Sequence, residues 1–397
     1  MEKIYFEHSR LLNSLKAEFR RDFMDDIAWE ERMLAIKGAR GVGKTTLILQ
    51  HVKETFGLSN SALYVSMDNL QVANKSIWEI AEYHHNHGGT HLFIDEIHKY
   101  YNWSMELKNI YDSLPNLFVV FSSSSILQVY KGYADLSRRV VSYHLLGLSL
   151  REFIQIETKT RLPIIHLNEI LDNHVEACAD ILKSVKPLAY FKNYLEYGYY
   201  PYYLQSKKTY YQKLNTVLNV ILEVDLPYIL EINIHNVGKI KRLLKVIANS
   251  VPFQPNISKL AESIELNRNT LTQYLYYLEQ SELINLLTSP TKSYGHLTKP
   301  EKIFLQNPNL GFAFGSDSTN VGTLRELFFL NQLKAKEQVN FSKVGDFIVN
   351  EKFIFEVGGP KKTFSHIAEV ENSYLALDEI EFGFKSKIPL WVFGFLY

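Results

Sequence analysis

The feature that most constrains this chain is the run Gly38-Ala39-Arg40-Gly41-Val42-Gly43-Lys44-Thr45. It fits G-x-x-x-x-G-K-[ST] in full, follows the apolar stretch Met33 to Lys37 and leads into Thr46 to Val52, which has helical character. Strand, glycine loop and helix in that order predict a βα unit whose backbone N–H groups curl around phosphate oxygens at a helix N-terminus. The expected phosphate-binding residues are Gly38, Ala39, Arg40, Gly41, Val42, Gly43, Lys44, Thr45 and Thr46. Lys44 would neutralise the β- and γ-phosphates of a nucleotide, and the Thr45 hydroxyl would coordinate Mg²⁺. The bland alternative is a glycine-rich turn ahead of a helix, and it leaves the agreement of strand and helix unexplained.

A second signal lies about 50 residues downstream of the loop. His91 to Glu96 is a short apolar strand ending in two adjacent carboxylates. In a parallel-sheet nucleotide hydrolase this is where the metal-ordering aspartate stands, so Asp95 would hold Mg²⁺ through water. Glu96, one residue on, is placed to orient and deprotonate an attacking water, which favours hydrolysis over mere nucleotide binding. A third strand, Leu117 to Phe121, ends in Ser122-Ser123-Ser124-Ser125. Hydroxyls at the C-terminal end of a parallel strand point into the ligand crevice, and Ser123 is taken as the candidate γ-phosphate sensor. The sequence does not say which serine acts, and the alternative is that all four cap the next helix. Further on, Arg138 and Arg139 precede a strand-like Val140 to His144. Either a surface pair or an arginine reaching a neighbour's γ-phosphate fits, with Arg139 the candidate.

These motifs, together with Trp103 to Asp112 and the stretch Leu146-Gly-Leu-Ser-Leu-Arg-Glu-Phe-Ile154, resemble the bacterial and archaeal AAA+ superfamily ATPases whose C-terminal half is a conserved domain of unknown function. The resemblance spans nearly the whole chain. The phosphate-loop and Asp-Glu motifs are specific for ATP hydrolysis, whereas the tryptophan and Leu-Ser-x-x-Glu-Phe stretches are mainly family markers. The resemblance implies an α/β chain: a P-loop αβα sandwich ATPase core over 1–155, a helical lid over 156–235, a winged helix over 236–305 and an α/β nuclease-like domain over 306–397. ATP and Mg²⁺ are the expected cofactors of an ATPase whose turnover switches the attached C-terminal module, with an ATP-gated DNA-binding regulator of negligible turnover as the alternative; whether the chain forms a homo-oligomer with an arginine supplied in trans stays open.

The residues beyond the core support such a layout. From Leu150 to Leu222 the pattern is helical, broken at Gly198 and Pro201, and its many tyrosines read as packing rather than base stacking. Ile240 to Val251, Ile257 to Ile264 and a helix from Arg268 to about Gln280, capped by Asn267, form a helix-turn-helix succession. Leu283 to Leu287 and Lys302 to Leu305 would be wing strands. Arg268, Asn269, Thr270, Thr272 and Gln273 would then face a DNA major groove, with Lys292, His296 and Lys299 near phosphates. Glu262, Glu265 and Glu279 nearby weigh against DNA, and domain packing is the alternative. In the last hundred residues Glu326 on a helix, Asp346 on one strand and Glu356 on the next would share one face, as a Mg²⁺-dependent phosphodiesterase requires. This resembles the PD-(D/E)XK nuclease fold with a defect, because Gly358 stands at the lysine position. Cutting should fall sharply unless Lys361 or Lys362 swings in.

Composition closes off other classes. Apolar residues make up 46% and charged residues 22% of 397, so the chain should fold, into several domains. Basic and acidic residues balance at 43 each, so no global field draws it to DNA or an anionic membrane. The single cysteine, Cys178, excludes an internal disulfide and reads as an inert buried thiol. With no signal-peptide-like N-terminus and no membrane-length apolar run, the chain reads as cytoplasmic. His84-His85-x-His87 has no helix-face ligand spacing and reads as a solvated loop.

Overall fold

The computed structural model describes residues 1–16, 19–124, 136, 138–230, 234–249, 255–290, 299–314, 320–365 and 367–397. The chain forms two compact units, Met1–Leu146 and Gly147–Tyr397. The ATPase core expected from the sequence ends at 155, and the first compact unit ends at Leu146.

In the first unit the elements run α1 (Glu2–Ser14), β1 (Met33–Gly38), α2 (Lys44–Thr55), β2 (Ala62–Ser66), α3 (Ile77–Asn86), β3 (His91–Asp95), α4 (Trp103–Ser113), β4 (Phe118–Ser124) and β5 (Val141–His144). The strands form one parallel sheet in the order β2-β3-β4-β1-β5. Every residue of β1 is buried, as expected of a central parallel strand covered on both faces. Ile94, Phe121, Leu107 and Ile110 join the core on one side of this sheet. Each such side chain contributes roughly 1.5–3 kcal/mol on burial. Connections between parallel strands must cross over, so the carboxyl ends of β1, β3 and β4 all meet at one edge, with β4 between the other two.

The second unit begins with α5 (Leu150–Thr158), α6 (Leu167–Ser184), α7 (Pro187–Asn193), α8 (Tyr210–Val220) and α9 (Leu226–Leu230). Ser149 opens α5 with a capping box shared with Glu152. The tyrosines between α7 and α8 are packing residues: Tyr194, Tyr199, Tyr200, Tyr203 and Tyr210 are all buried. Asn309 ties them together, accepting from Tyr210 Oη at 2.6 Å and from the Tyr199 amide at 2.9 Å. Next come α10 (Ile234–Asn249), α11 (Ile257–Ser263), α12 (Arg268–Gln280) and the antiparallel pair β6 (Ile284–Leu287) and β7 (Lys302–Leu305). Helix α10 starts earlier than expected, and Val251 lies outside the described residues. Asn267 does cap α12, its Oδ1 accepting the Thr270 amide at 2.8 Å.

The unit closes with α13 (Pro308–Ala313), α14 (Val321–Leu333), β8 (Val339–Phe341), β9 (Phe347–Val349), β10 (Phe353–Gly358), β11 (Ser373–Leu377) and β12 (Lys387–Pro389). The last five strands form a mixed sheet, β8, β9 and β10 antiparallel and β10, β11 and β12 parallel.

Two sequence expectations are settled by this packing. Cys178 is buried, and burial pushes its thiol up to about 12, as befits an inert group. The histidine stretch is not a solvated loop: His84 and His85 belong to α3, and His84 is fully buried. Its ring bonds the Tyr5 hydroxyl at 2.7 Å and the His91 carbonyl at 3.0 Å. No helix among the described residues is long and apolar enough to cross a membrane.

Candidate functional site

The glycine loop leaves β1 and enters α2 at the carboxyl edge of the parallel sheet. Gly38 has no room for a side chain, because a Cβ there would stand 2.2 Å from the Leu145 carbonyl oxygen. Gly43 caps α2 with φ +103°, a left-handed conformation that glycine adopts without strain. Lys44 is buried and folds back on the loop, its Nζ donating to the carbonyls of Gly38 at 2.9 Å and Ala39 at 3.0 Å. Ala39 and Val42 are buried, Arg40 and Gly41 are half-buried, and Thr45 and Thr46 are exposed at the start of the helix.

Asp95, at the end of β3, gathers hydroxyl donors. Thr45 Oγ1 donates to its Oδ2 at 2.6 Å, Tyr64 Oη donates to the same oxygen at 2.8 Å, and Ser122 Oγ donates to Oδ1. Ser122 also accepts the Glu96 amide at 3.0 Å. The serine that touches the Asp-Glu pair is therefore Ser122, at the end of β4. Ser123 faces the other way along the strand, fully buried, its hydroxyl without a hydrogen-bond partner among the described residues. Ser125 lies outside the described residues.

Glu96 sits in the left-handed region at φ +53°, where a non-glycine residue is strained, a feature that concentrates at functional sites. Its Oε2 lies 3.7 Å from Arg40 Nη2 and 3.4 Å from His98 Nε2. Burial raises its pKa, with Asp95 and Asp68 adding to the rise and Lys44 and Arg40 opposing it. A carboxyl held in that balance is suited to take a proton from water. Arg139 is bound within its own unit, Nε to Asp112 Oδ1 and Nη2 to Asp112 Oδ2, both at 3.1 Å.

The donor set suits Mg²⁺. Thr45 and Asp95 offer hard oxygens already in contact, and Mg²⁺ at nucleotide sites takes one or two protein oxygens and completes its shell with phosphates and water. Accordingly, no group of three or more His, Cys, Asp or Glu side chains among the described residues could hold a metal by itself.

Sequence reasoning missed Tyr64 and His98 and did not single out Ser122. Tyr64 lies inside β2, an ordinary apolar strand, and only the pairing of β2 with β3 brings it to Asp95. The order β3-β4-β1 does the same for Ser122.

A second cluster of charged groups lies in the second unit. The register Phe347↔Phe355 puts Asp346 opposite Glu356, and Asp346 Oδ2 accepts the Val357 amide at 2.9 Å. Lys302 Nζ from β7 stands 3.7 Å from Glu326 and 3.6 Å from Asp346. Lys362 Nζ bonds Glu356 Oε1 at 2.8 Å, and a Cβ on Gly358 would meet the Lys362 side chain at 2.9 Å. Lys362 thus fills the space that a side chain at 358 would need. Burial, with Asp346 beside it, pushes Glu326 up to about 7 against the pull of Lys302 and Lys362. On α12, Arg268, Asn269 and Gln273 are exposed and Thr270 and Thr272 half-buried; Lys299 is exposed, and Lys292 and His296 lie outside the described residues.

The parallel five-stranded sheet of the first unit, with a glycine loop leading from β1 into α2, is consistent with a P-loop ATPase core. In agreement, residues 30–154 match a family model described as AAA domain, and residues 188–319 match one described as Domain of unknown function (DUF8612). The chain is similar to the uncharacterized protein MJ1637 of Methanocaldococcus jannaschii, 26% identical over 393 residues, covering 90% of this chain and 82% of that protein. It is also similar to the uncharacterized protein MJ1544 of the same organism, 22% identical over 347 residues, covering 83% of this chain and 73% of that protein. Among solved structures, AMPPCP-bound DnaA from Aquifex aeolicus aligns over 70% of this chain and 87% of its own at 14% identity and a TM-score of 0.24, too loose a superposition to carry an argument.

Proposed function

We propose that the chain is a Mg²⁺-dependent ATPase of the AAA+ type whose turnover changes the state of its second unit. The observation that carries this reading is the convergence of Lys44, Thr45, Asp95, Ser122 and Glu96 at one edge of the parallel sheet. On nucleotide entry Lys44 would exchange its carbonyl partners for phosphate oxygens, and the amides from Ala39 to Thr46 would line the phosphates. Thr45 and Asp95 would hold Mg²⁺, which when bound offsets the charge on the β- and γ-phosphate oxygens. Tyr64 and Ser122 orient Asp95 for that task. Glu96 would orient a water and accept its proton as the water attacks the γ-phosphorus. Ser123 keeps its proposed sensor role only if the strand end rearranges when nucleotide binds. Arg139 would serve a neighbouring chain only after leaving Asp112. The four-part division at 155, 235 and 305 belongs to the same proposal, with α10, α11, α12, β6 and β7 as a winged helix and exposed Arg268, Asn269 and Gln273 as its DNA-facing residues.

Steady-state hydrolysis of MgATP by wild type, Lys44→Ala and Glu96→Gln tests the core of this reading. Lys44→Ala should bind ATP at least 100-fold more weakly, and Glu96→Gln should bind normally but turn over at least 100-fold more slowly. Undiminished turnover in Glu96→Gln would sink the mechanism.

A second reading, a metal-dependent nuclease in the second unit, is favoured by one observation: Lys362 fills the space beside Gly358 and bonds Glu356. The missing lysine thus has a replacement from the following turn. Plasmid incubated with Mg²⁺ or Mn²⁺ should be nicked by wild type and not by Asp346→Ala. Equal cutting by the two proteins, or none by either, removes the reading.

A further inference from the structure

Resting on the ATPase reading of the same site, we infer that His98 is the positioning residue that fixes the carboxylate of Glu96 for attack. Glu96 is held at its backbone and at its carboxylate, and its carbonyl accepts the Lys99 amide at 3.0 Å. Its amide is tied to Ser122 Oγ at 3.0 Å, which sets the backbone. Its Oε2 is approached by Arg40 Nη2 at 3.7 Å from the glycine loop and by His98 Nε2 at 3.4 Å from the turn that follows β3.

The two cationic or donor groups differ in what happens when nucleotide arrives. Arg40 sits on the glycine loop, where a phosphate oxygen would compete for its guanidinium with the 3.7 Å contact to Glu96. His98 lies outside that loop. It is 3% exposed and lies in the 3-10 turn Ile97–Lys99, whose N-cap is Glu96 itself. The left-handed step at Glu96 and the tight turn after it fold residue 98 back over residue 96. Lys44, Asp95 and Asp68 also act electrostatically on Glu96. His98 brings its Nε2 to Oε2 from the turn after β3, an element outside the phosphate loop. A nitrogen at 3.4 Å is longer than a good hydrogen bond, and such contacts tighten when the reacting complex forms. Misplacing the general base by about 1 Å costs on the order of 100-fold in rate.

The competing role for a buried imidazole is space filling, and the two are separable by substitution. Gln can place its amide nitrogen where Nε2 stands, whereas Leu fills the volume and donates nothing. His98→Ala and His98→Leu should lower kcat about 10- to 100-fold while the Kd for a non-hydrolysable ATP analogue stays within about twofold, and His98→Gln should recover most of kcat. Wild-type kcat in His98→Leu overturns the inference, as does a loss of analogue affinity that parallels the loss of kcat. Glu96→Gln, measured alongside, separates the two levels. If it abolishes turnover, the ATPase reading stands and the His98 variants decide; if it hydrolyses like wild type, the reading and the inference fall together.

Discussion

The imidazole of His84 shows what burial does to a single residue. Neutral, it donates from one nitrogen to the His91 carbonyl and accepts the Tyr5 hydroxyl proton with the other. Burial lowers its pKa to about 4, and His51, stacked on Trp29 with ring centroids 3.6 Å apart, is likewise lowered to about 4. In the unfolded chain both titrate near the ordinary value of about 6.5. Between those values the unfolded state binds more protons, so stability is retained above about pH 6.5 and lost as the pH falls toward 4. Each histidine contributes a slope of at most about 1.4 kcal/mol per pH unit. In urea titrations from pH 7 to 4.5, His84→Gln should be less stable than wild type at pH 7 but should lose stability less steeply on acidification. An unchanged slope would refute the burial account. The composition of the His84-His85-x-His87 stretch carries no trace of this, because the ring is buried by α1 and β3, elements from elsewhere in the chain.

At the scale of elements, legibility followed the locality of the physics. The βα unit around the glycine loop is written in consecutive residues: an apolar strand, a loop whose glycines meet a steric and a φ requirement, and a helix start. Helix α12 is legible for the same reason, since its cap and its buried stripe Leu271, Leu275 and Leu278 are local patterns. The hairpin of β9 and β10 was legible to its register, because Asn350 and Glu351 both take positive φ and fix a tight turn. What escaped was whatever depends on the pairing of strands distant in sequence. Ser122 and Ser123 are the same residue type and adjacent in sequence, yet strand alternation sends one hydroxyl to Asp95 and leaves the other without a hydrogen-bond partner among the described residues. Lys302 reaches the carboxylate cluster from β7, which sequence spacing does not relate to Glu326, whereas Lys362, expected with Lys361 as a replacement for the missing lysine, is the one that bonds Glu356.

The molecule as a whole should unfold as two units, because each has its own sheet and only the first carries the phosphate loop. Calorimetry should resolve a transition that MgATP raises and one that it leaves in place. At 100 times its Kd, ATP stabilises the unit that binds it by about 2.7 kcal/mol. Lys44→Ala should abolish the shift without lowering the second transition, and a uniform shift of both would mean that nucleotide binding is not confined to the first unit. Several properties follow from the sequence alone: a βα unit joined by a glycine loop, an Asp-Glu pair ending a buried strand, a helical middle and a chain able to bury a core. All of them rest on contacts between near neighbours, where residue type and spacing set the geometry. The tertiary structure alone decided that Tyr64, Ser122 and His98 complete the site around Asp95 and Glu96, and that Lys362 stands over Gly358. Tyr64 and Ser122 reach Asp95 through strand order, which joins residues distant in sequence, whereas His98 beside Glu96 and Lys362 beside Gly358 depend on the path of a turn that residue spacing leaves open.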